Sequence, residues 1–472
     1  MFQPVNHRST PRWVTGPLRA PTIRLRMADD PTGEVTDLLR ELIRNGCVND
    51  GTAASGQEVR NADLLTSYLE GGGLDLERFE PEPGRTSIVA RIEGQDSEAP
   101  TLLLMGHTDV VPVSPQGWDR DPFGAEVVDG EVWGRGAVDM LNLTASMAVA
   151  FRRLADRGFR PRGTLAYLAV ADEEALGRHG AEWLTEHAPD AVAADYVITE
   201  SGGIPMPSGD GGLRLPVIVG EKGTYWCRLV IRGTPGHASQ PLRTDNALVK
   251  AAEVVRRLAG HRPPAVLHDV WRRFVMGMGF PEEWSGPLLD PAAIDRFCDE
   301  LPFVGLARQA HACTHLTIAP TVMQAGVKTN VIPDHAEVQL DIRTLPGQSG
   351  TEVRKVLEDL LGDMAHDVEI VAESDDDSTS SPIETPLWDV LEGLCRRVYP
   401  DAALVPFLTV GATDARFFRR LGVPSYGFGL FSRRMSFDQY SAMFHGDNER
   451  VDVESLRLST DLWDALARDF LA

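Results

Sequence analysis

The sequence predicts an α/β fold, a mainly parallel sheet flanked by helices with a smaller α+β domain inserted into it, and three observations carry that prediction. Helical and extended patterns alternate as far as Thr199, the texture turns strand-rich after Val219, and a long helical pattern returns at the end of the chain. At 472 residues the chain exceeds what one hydrophobic core usually supports, so two domains are expected.

The elements follow in order. Val35, Leu38, Leu39 and Leu42 have helical spacing over Glu34 to Arg44, and Gly46 stops that helix. A second helix runs from about Gln57 to Leu69 and ends in Gly71, Gly72 and Gly73. Strands are expected at Ser87 to Ile92 and Thr101 to Met105, then a helix at Leu141 to Leu154, a strand at Thr164 to Ala171, a helix at Gly180 to His187 and a strand at Asp195 to Thr199. In the inserted part, a strand at Tyr225 to Ile231 precedes a helix with Leu248, Ala252, Val255 and Ala259 on one face. Strands at Leu316 to Met323 and Glu337 to Ile342, a helix at Thr351 to Leu361 and a strand at Val368 to Ala372 complete it. The acidic, serine-rich run Glu373 to Ser381 reads as the linker back, and a helix from about Val453 to Leu471 closes the chain. The expected division is residues 1–28 as an unstructured extension, 29–220 with 376–472 as the main domain, and 221–375 as the insertion.

Composition narrows the function. Apolar residues at 43% and charged residues at 24% are globular values, which excludes a fibrous or mainly disordered chain. A net charge of −23 repels a phosphate backbone and an anionic membrane surface, so neither nucleic acid nor membrane is an expected partner. No apolar run is long enough to span a bilayer. The five cysteines are scattered without C-x-x-C spacing, which suits reduced thiols and a cytoplasmic setting. The first 26 residues carry Arg8, Arg12, Arg19, Arg24 and Arg26 with no acid, the pattern of a transit peptide or of a start codon placed too early; the acidic, patterned sequence directly after Met27 favours the second.

Chemistry concentrates at strand ends. His107 and Asp109, in Gly106-His107-Thr108-Asp109, follow an apolar strand, and residues two apart in extended chain face one side, so one can ligate a metal while the other steadies it. Asp139 ends Trp133-Gly134-Arg135-Gly136-Ala137-Val138-Asp139, at the start of a helix it would otherwise simply cap. Asp172, Glu173 and Glu174 repel one another unless cations offset them, although a solvated turn would also explain them. Glu200 follows Tyr196 to Thr199, and His445 lies in Phe444-His445-Gly446-Asp447-Asn448-Glu449-Arg450. Two imidazoles with several carboxylates and no thiolate suit a paired hydrolytic metal centre.

These strings, together with Gly236-His237-Ala238-Ser239, Lys328-Thr329-Asn330-Val331-Ile332-Pro333 and Asp341-Ile342-Arg343, resemble the M20 metallopeptidases over nearly the whole chain from Met27. That group includes aminoacylases, glutamate carboxypeptidases, acetylornithine deacetylases and succinyl-diaminopimelate desuccinylases. The resemblance implies a zinc-hydrolase catalytic domain with an inserted lid and dimerisation domain, and two divalent ions, zinc with cobalt or manganese as substitutes. By resemblance His107 and Glu200 hold one ion, Glu174 and His445 the other, Asp139 bridges them, and Glu173 is the general base. It also implies that the bond after the bridging aspartate is cis, that His237 serves the neighbouring subunit of a homodimer, and that Asn330 contacts substrate. Arg343 would grip a substrate carboxylate, with an ion pair to Asp341 or Glu337 as the plain alternative. Thr413, in Gly411-Ala412-Thr413-Asp414-Ala415, resembles a pocket-lining loop.

The expected activity is hydrolysis of an amide bond in a small carboxylate-bearing peptide or N-acyl amino acid. A biosynthetic deacylase is the enzymatic alternative. An inactive metal-binding scaffold and a carboxylate-rich metal store are the non-enzymatic ones, disfavoured because no ligand is missing and the acids sit at strand ends.

Overall fold

The computed structural model describes residues 30–70, 74–114 and 116–472; the expectations for residues 1–28 and for the glycines at 71–73 lie outside them. A ten-stranded sheet forms the main layer. At its centre Leu165–Val170, Leu102–His107, Tyr196–Thr199 and Ser425–Gly427 lie side by side and parallel. Antiparallel strands flank this centre: Arg85–Ile92 and Asp75–Glu82 on one side, Leu213–Glu221 on the other. Leu213–Glu221 is itself paired in parallel with Ala402–Thr409.

The centre is parallel because its strands are apolar on both faces and need cover on both. Every residue of Leu102–His107 and Leu165–Val170 is buried. Helix Leu141–Asp156 lies beneath them, packed also on Thr32–Asn45 and Val453–Phe470, and is buried nearly all round. Its alanines at 145, 148 and 150 permit that close packing on several sides.

A four-stranded antiparallel sheet, in the order Thr317–Ala325, His335–Thr344, Gly223–Arg232, Val368–Asp376, makes the second unit. Along His335–Thr344 Ala336, Val338, Leu340 and Ile342 are buried in strict alternation, the two-residue period of a strand with one covered face. Helices Ala247–Ala259 and Gly350–Leu361 cover that face.

Two expectations change here. The helix over 247–259 buries Ala247, Ala251, Val254 and Leu258, whereas Leu248 is exposed. Both stripes have helical spacing and differ by a one-residue rotation; the small alanines let the helix lie closer to the sheet, and Asn246 caps its start by accepting the Leu248 N–H at 2.9 Å. The acidic run 373–381 is also largely strand rather than linker. Ser374, Asp375 and Asp376 pair with Trp226, Tyr225 and Thr224, and Thr379–Ser380 pairs with Gly220–Glu221. Charged residues are tolerated there because Val368–Asp376 is a sheet edge.

The segment from 261 to 314 folds as four helices, Asp269–Met278, Glu282–Leu288, Ile294–Glu300 and Val304–Thr314. Its aromatics pack into a local core: Trp271 and Phe274 are buried, with Phe274 edge-on to Phe407 of the main sheet at 5.1 Å between centroids.

Candidate metal centre

Three adjacent parallel strands deliver polar side chains to one edge of the main sheet. His107 is the last residue of Leu102–His107, Glu173 and Glu174 follow Leu165–Val170, and Glu200 follows Tyr196–Thr199. Carboxyl ends of parallel strands are where such sheets build ligand sites. Asp139 arrives on the turn before helix Leu141–Asp156, and its bond to Met140 is cis. His445 enters from the far end of the chain with a positive φ of 56°, just beyond helix Phe437–Met443.

Asp139 stands between the two imidazoles. Its Oδ1 is 3.2 Å from Nε2 of His107 and its Oδ2 is 3.1 Å from Nε2 of His445. Glu200 lies 4.0 Å from His107 Nε2, and Glu174 lies 3.3 Å from His445 Nε2. Two ligand groups result, His107 with Asp139 and Glu200, and His445 with Asp139 and Glu174, their donor atoms within 4.8 Å of one another in each group. Glu173 also approaches His107 Nε2, at 4.0 Å, and groups with it and Glu174. The residues fit a pair of divalent ions sharing a carboxylate: the donors are imidazole and carboxylate, and the buried Oε1 of Glu174 makes no hydrogen bond within the protein.

Charge and burial act strongly on this cluster. Burial lifts Glu173 and Glu200 well above the ordinary carboxylate range, and neighbouring carboxylates add to it, Glu200 for Glu173 and Asp139 for Glu200. Burial alone would lower His107, but the Asp139 hydrogen bond and the carboxylates of Glu173 and Glu200 outweigh it and hold the imidazole well above its usual value. His445 is pushed up to about 10 by its contacts with Asp139 and Glu174. His107 is sealed in at 1% exposure whereas the His445 side chain is 52% exposed, so the cluster opens to solvent on the His445 side.

A framework behind the cluster holds it. His107 Nδ1 donates to the backbone carbonyl of Asp109 at 3.0 Å, while the Asp109 carboxylate is 3.6 Å away. Sequence reasoning gave the steadying task to the Asp109 side chain. The carbonyl performs it, because the carboxylate is taken by the N–H groups of Glu173 and Glu174 and by Asn49. Glu449, to which the sequence reading gave no role, accepts the N–H groups of Gly136, Val138 and Asp139 and pairs with Arg135 at 3.0 Å. Its only signal was membership of the string around His445.

The remaining expected residues stand apart. His237 is exposed and its ring bonds locally to Ser239. Asn330 is exposed next to it, its carbonyl accepting the Ala238 N–H. Among the described residues no hydrogen bond or ion pair joins either to the metal-ligand cluster of the same chain. Arg343 spends its fork on Asp341, at 2.7 and 3.2 Å, and on the Thr224 hydroxyl, and lies over the Trp226 ring. Thr413 is buried with both its N–H and its hydroxyl donated to Glu221, so its polar group is turned into the framework instead of toward a pocket. The next residue, Asp414, is the one left with both carboxylate oxygens buried and without a hydrogen bond, and burial pushes it up to about 7.

Comparison with known proteins assigns the chain to a peptidase family. The model of the peptidase family M20/M25/M40 matches residues 103–469. The N-fatty-acyl-amino acid synthase/hydrolase PM20D1 of Xenopus tropicalis is 26% identical over 447 residues, covering 90% of this chain and 84% of that protein. Aminoacylase-1 of Mus musculus is 25% identical over 399 residues, covering 84% of this chain and 86% of that protein. Among solved structures, the M20 family metallo-carboxypeptidase Sso-CP2 of Sulfolobus solfataricus superposes with a TM-score of 0.71 at 19% identity, over 94% of this chain and 99% of that one.

Proposed function

Because the chain belongs to peptidase family M20/M25/M40, we propose that it is a two-metal hydrolase of N-acyl amino acids or small peptides, with Glu173 as general base. The observation that carries this reading is the Asp139 carboxylate, one oxygen toward His107 and the other toward His445. Bound there, two divalent ions, with zinc the best match to this donor set, supply Lewis-acid polarisation of the scissile carbonyl and lower the pKa of the attacking water.

The protein's own groups do the rest. Glu173, buried and 4.0 Å from His107, takes the proton of the attacking water as its oxygen bonds to the carbonyl carbon. The same carboxyl then gives that proton to the amide nitrogen as the C–N bond breaks, releasing a carboxylic acid and an amine. His107, Asp139, Glu200, Glu174 and His445 hold the ions, and Asp109 and Glu449 fix the ligand-bearing turns through backbone hydrogen bonds.

His237 and Asn330 complete the site across a homodimer formed by the inserted unit. The exposed position of both supports that assignment. Arg343 would meet a substrate carboxylate only by leaving Asp341. The two relatives, named as an N-fatty-acyl-amino acid synthase/hydrolase and an aminoacylase, favour an N-acyl amino acid over a long peptide. The five free cysteines suit a cytoplasmic enzyme, and no helix among the described residues is long and apolar enough to cross a membrane.

A panel of N-fatty-acyl, N-acetyl and N-succinyl amino acids and dipeptides, assayed with Zn²⁺, Co²⁺ or Mn²⁺, tests the proposal. Hydrolysis of at least one N-acyl amino acid, abolished by a chelator, is the expected result. Cleavage restricted to N-succinyl or N-acetyl biosynthetic intermediates would favour a dedicated deacylase, and no hydrolysis with any metal would overturn the assignment.

A further inference from the structure

A second group of metal-ligating side chains lies outside the cluster described above. Asp295, His311 and His315 each offer a donor atom within 4.8 Å of the others. His311 lies in the last turn of helix Val304–Thr314 and His315 directly follows that helix in extended conformation, its ring stacked on that of His311, while Asp295 comes from the neighbouring helix Ile294–Glu300.

The arrangement of His315 points to a ligand. Its ring is buried, and Nδ1 lies 2.9 Å from the His311 carbonyl, which can only accept, so Nδ1 carries the hydrogen. In the neutral ring Nε2 is then a lone pair. That atom is buried and makes no hydrogen bond, although Asp295 Oδ1 is 2.9 Å away. A lone pair facing a carboxylate oxygen is repulsive, and the contact is relieved either by a proton, which makes it an ion pair, or by a metal ion that both atoms ligate. Two donors each about 2.1 Å from one zinc at a tetrahedral angle stand about 3.4 Å apart, so the 2.9 Å pair has to open by about half an ångström to share an ion, which the exposed Asp295 side chain permits. An imidazole that ligates metal commonly gives its other N–H to a backbone carbonyl, as His315 does here and His107 does at the first cluster.

His311 supplies the second imidazole. Its ring stacks on His315 at 4.1 Å between centroids, and it is only half-buried, so rotation of the side chain can turn a nitrogen toward the same point.

We infer that Asp295, His311 and His315 form a separate binding site for one transition-metal ion of the zinc type. Two imidazoles and one carboxylate select zinc, cobalt, nickel or copper over magnesium or calcium, and solvent completes the coordination. The ion has a structural task. The carbonyls of Ala312 and His315 accept hydrogen bonds from the buried Lys222 Nζ at 2.8 and 2.7 Å, and Lys222 follows Glu221, the residue that holds Thr413. Fixing the helix end fixes that cage.

The test is the zinc content of the full chain after equilibrium dialysis against buffered Zn²⁺, compared with Asp295→Asn/His311→Gln. Asp295 is exposed and His311 half-buried, which favours folding of the variant. The wild-type chain should hold one zinc more than the variant, and Mg²⁺ should not substitute. Equal zinc content would overturn the site. Crystals of the wild-type chain soaked in zinc give a second readout: an anomalous peak beside His315 Nε2 supports the site, and none there overturns it even if the variant fails to fold. The difference in count does not depend on how many ions the first cluster takes, so this inference and the proposed activity fail separately.

Discussion

Glu449 accepts the backbone N–H of Asp139 at 3.1 Å, and so ties the carboxylate proposed to bridge the two ions to the far end of the chain. Its carboxylate also takes the N–H of Gly136 and Val138 and faces Arg135, with no exposure to solvent. Every partner is a donor. Glu449→Gln presents an amide N–H to at least one of them and leaves the Arg135 charge buried without its counterion. Breaking a buried pair from one side typically costs about 3–5 kcal/mol. A fall in melting temperature together with weaker zinc binding is expected; unchanged values for both, by calorimetry and zinc titration, would remove Glu449 from the framework.

Asp414 gives a pH dependence whose sign follows from burial. Its carboxyl is raised from 3.8 to about 7, so between those values the folded chain keeps a proton that the unfolded chain has lost. The contribution is therefore fully present below about pH 4 and is lost as pH rises through about 7, on the order of a few kcal/mol across the window. Asp414→Asn should flatten that part of the profile in metal-stripped protein. Urea midpoints at pH 5 and pH 8 decide the matter, and an identical pH slope in both proteins would contradict the assignment.

The cluster is legible in the sequence because each parallel strand ends at its polar residues: once Leu102–His107, Leu165–Val170 and Tyr196–Thr199 are neighbours, His107, Glu173, Glu174 and Glu200 must converge. Asp139 and His445 join them only through turns, and it was their strings that marked them. What stayed hidden depends on hydrogen-bond direction across long separations. Glu449 binds backbone amides 310 or more residues away, and Thr413 turns inward because Glu221 offers a carboxylate at 2.6 Å, facts that no local pattern encodes. The helix face at 247–259 differs by one residue because two stripes share the same spacing, and the strand expected at 368–372 runs on through the acidic residues to Asp376 because edge strands tolerate charge.

His237 is proposed to act on the partner's cluster. Mixing and refolding Glu173→Gln with His237→Ala should therefore restore activity, since each mixed dimer would contain one site with both residues intact. Random pairing makes half the dimers mixed, so about a quarter of all sites recover under a twofold model. Proven subunit exchange without a gain over the separately refolded parents would assign His237 to its own chain or to no site.

Metal content and turnover of Glu173→Gln beside Glu174→Gln test the central claim most directly, because the two residues are neighbours with unlike roles. Glu173 stands 4.0 Å from His107 without needing to ligate, whereas Glu174 lies 3.3 Å from His445 within the second ligand group. Glu173→Gln should keep both ions and lose turnover by roughly 10²- to 10⁴-fold, the usual worth of a general base. Glu174→Gln should lose metal. Equal metal loss in the two purified variants, or near-normal turnover in Glu173→Gln, would contradict the account.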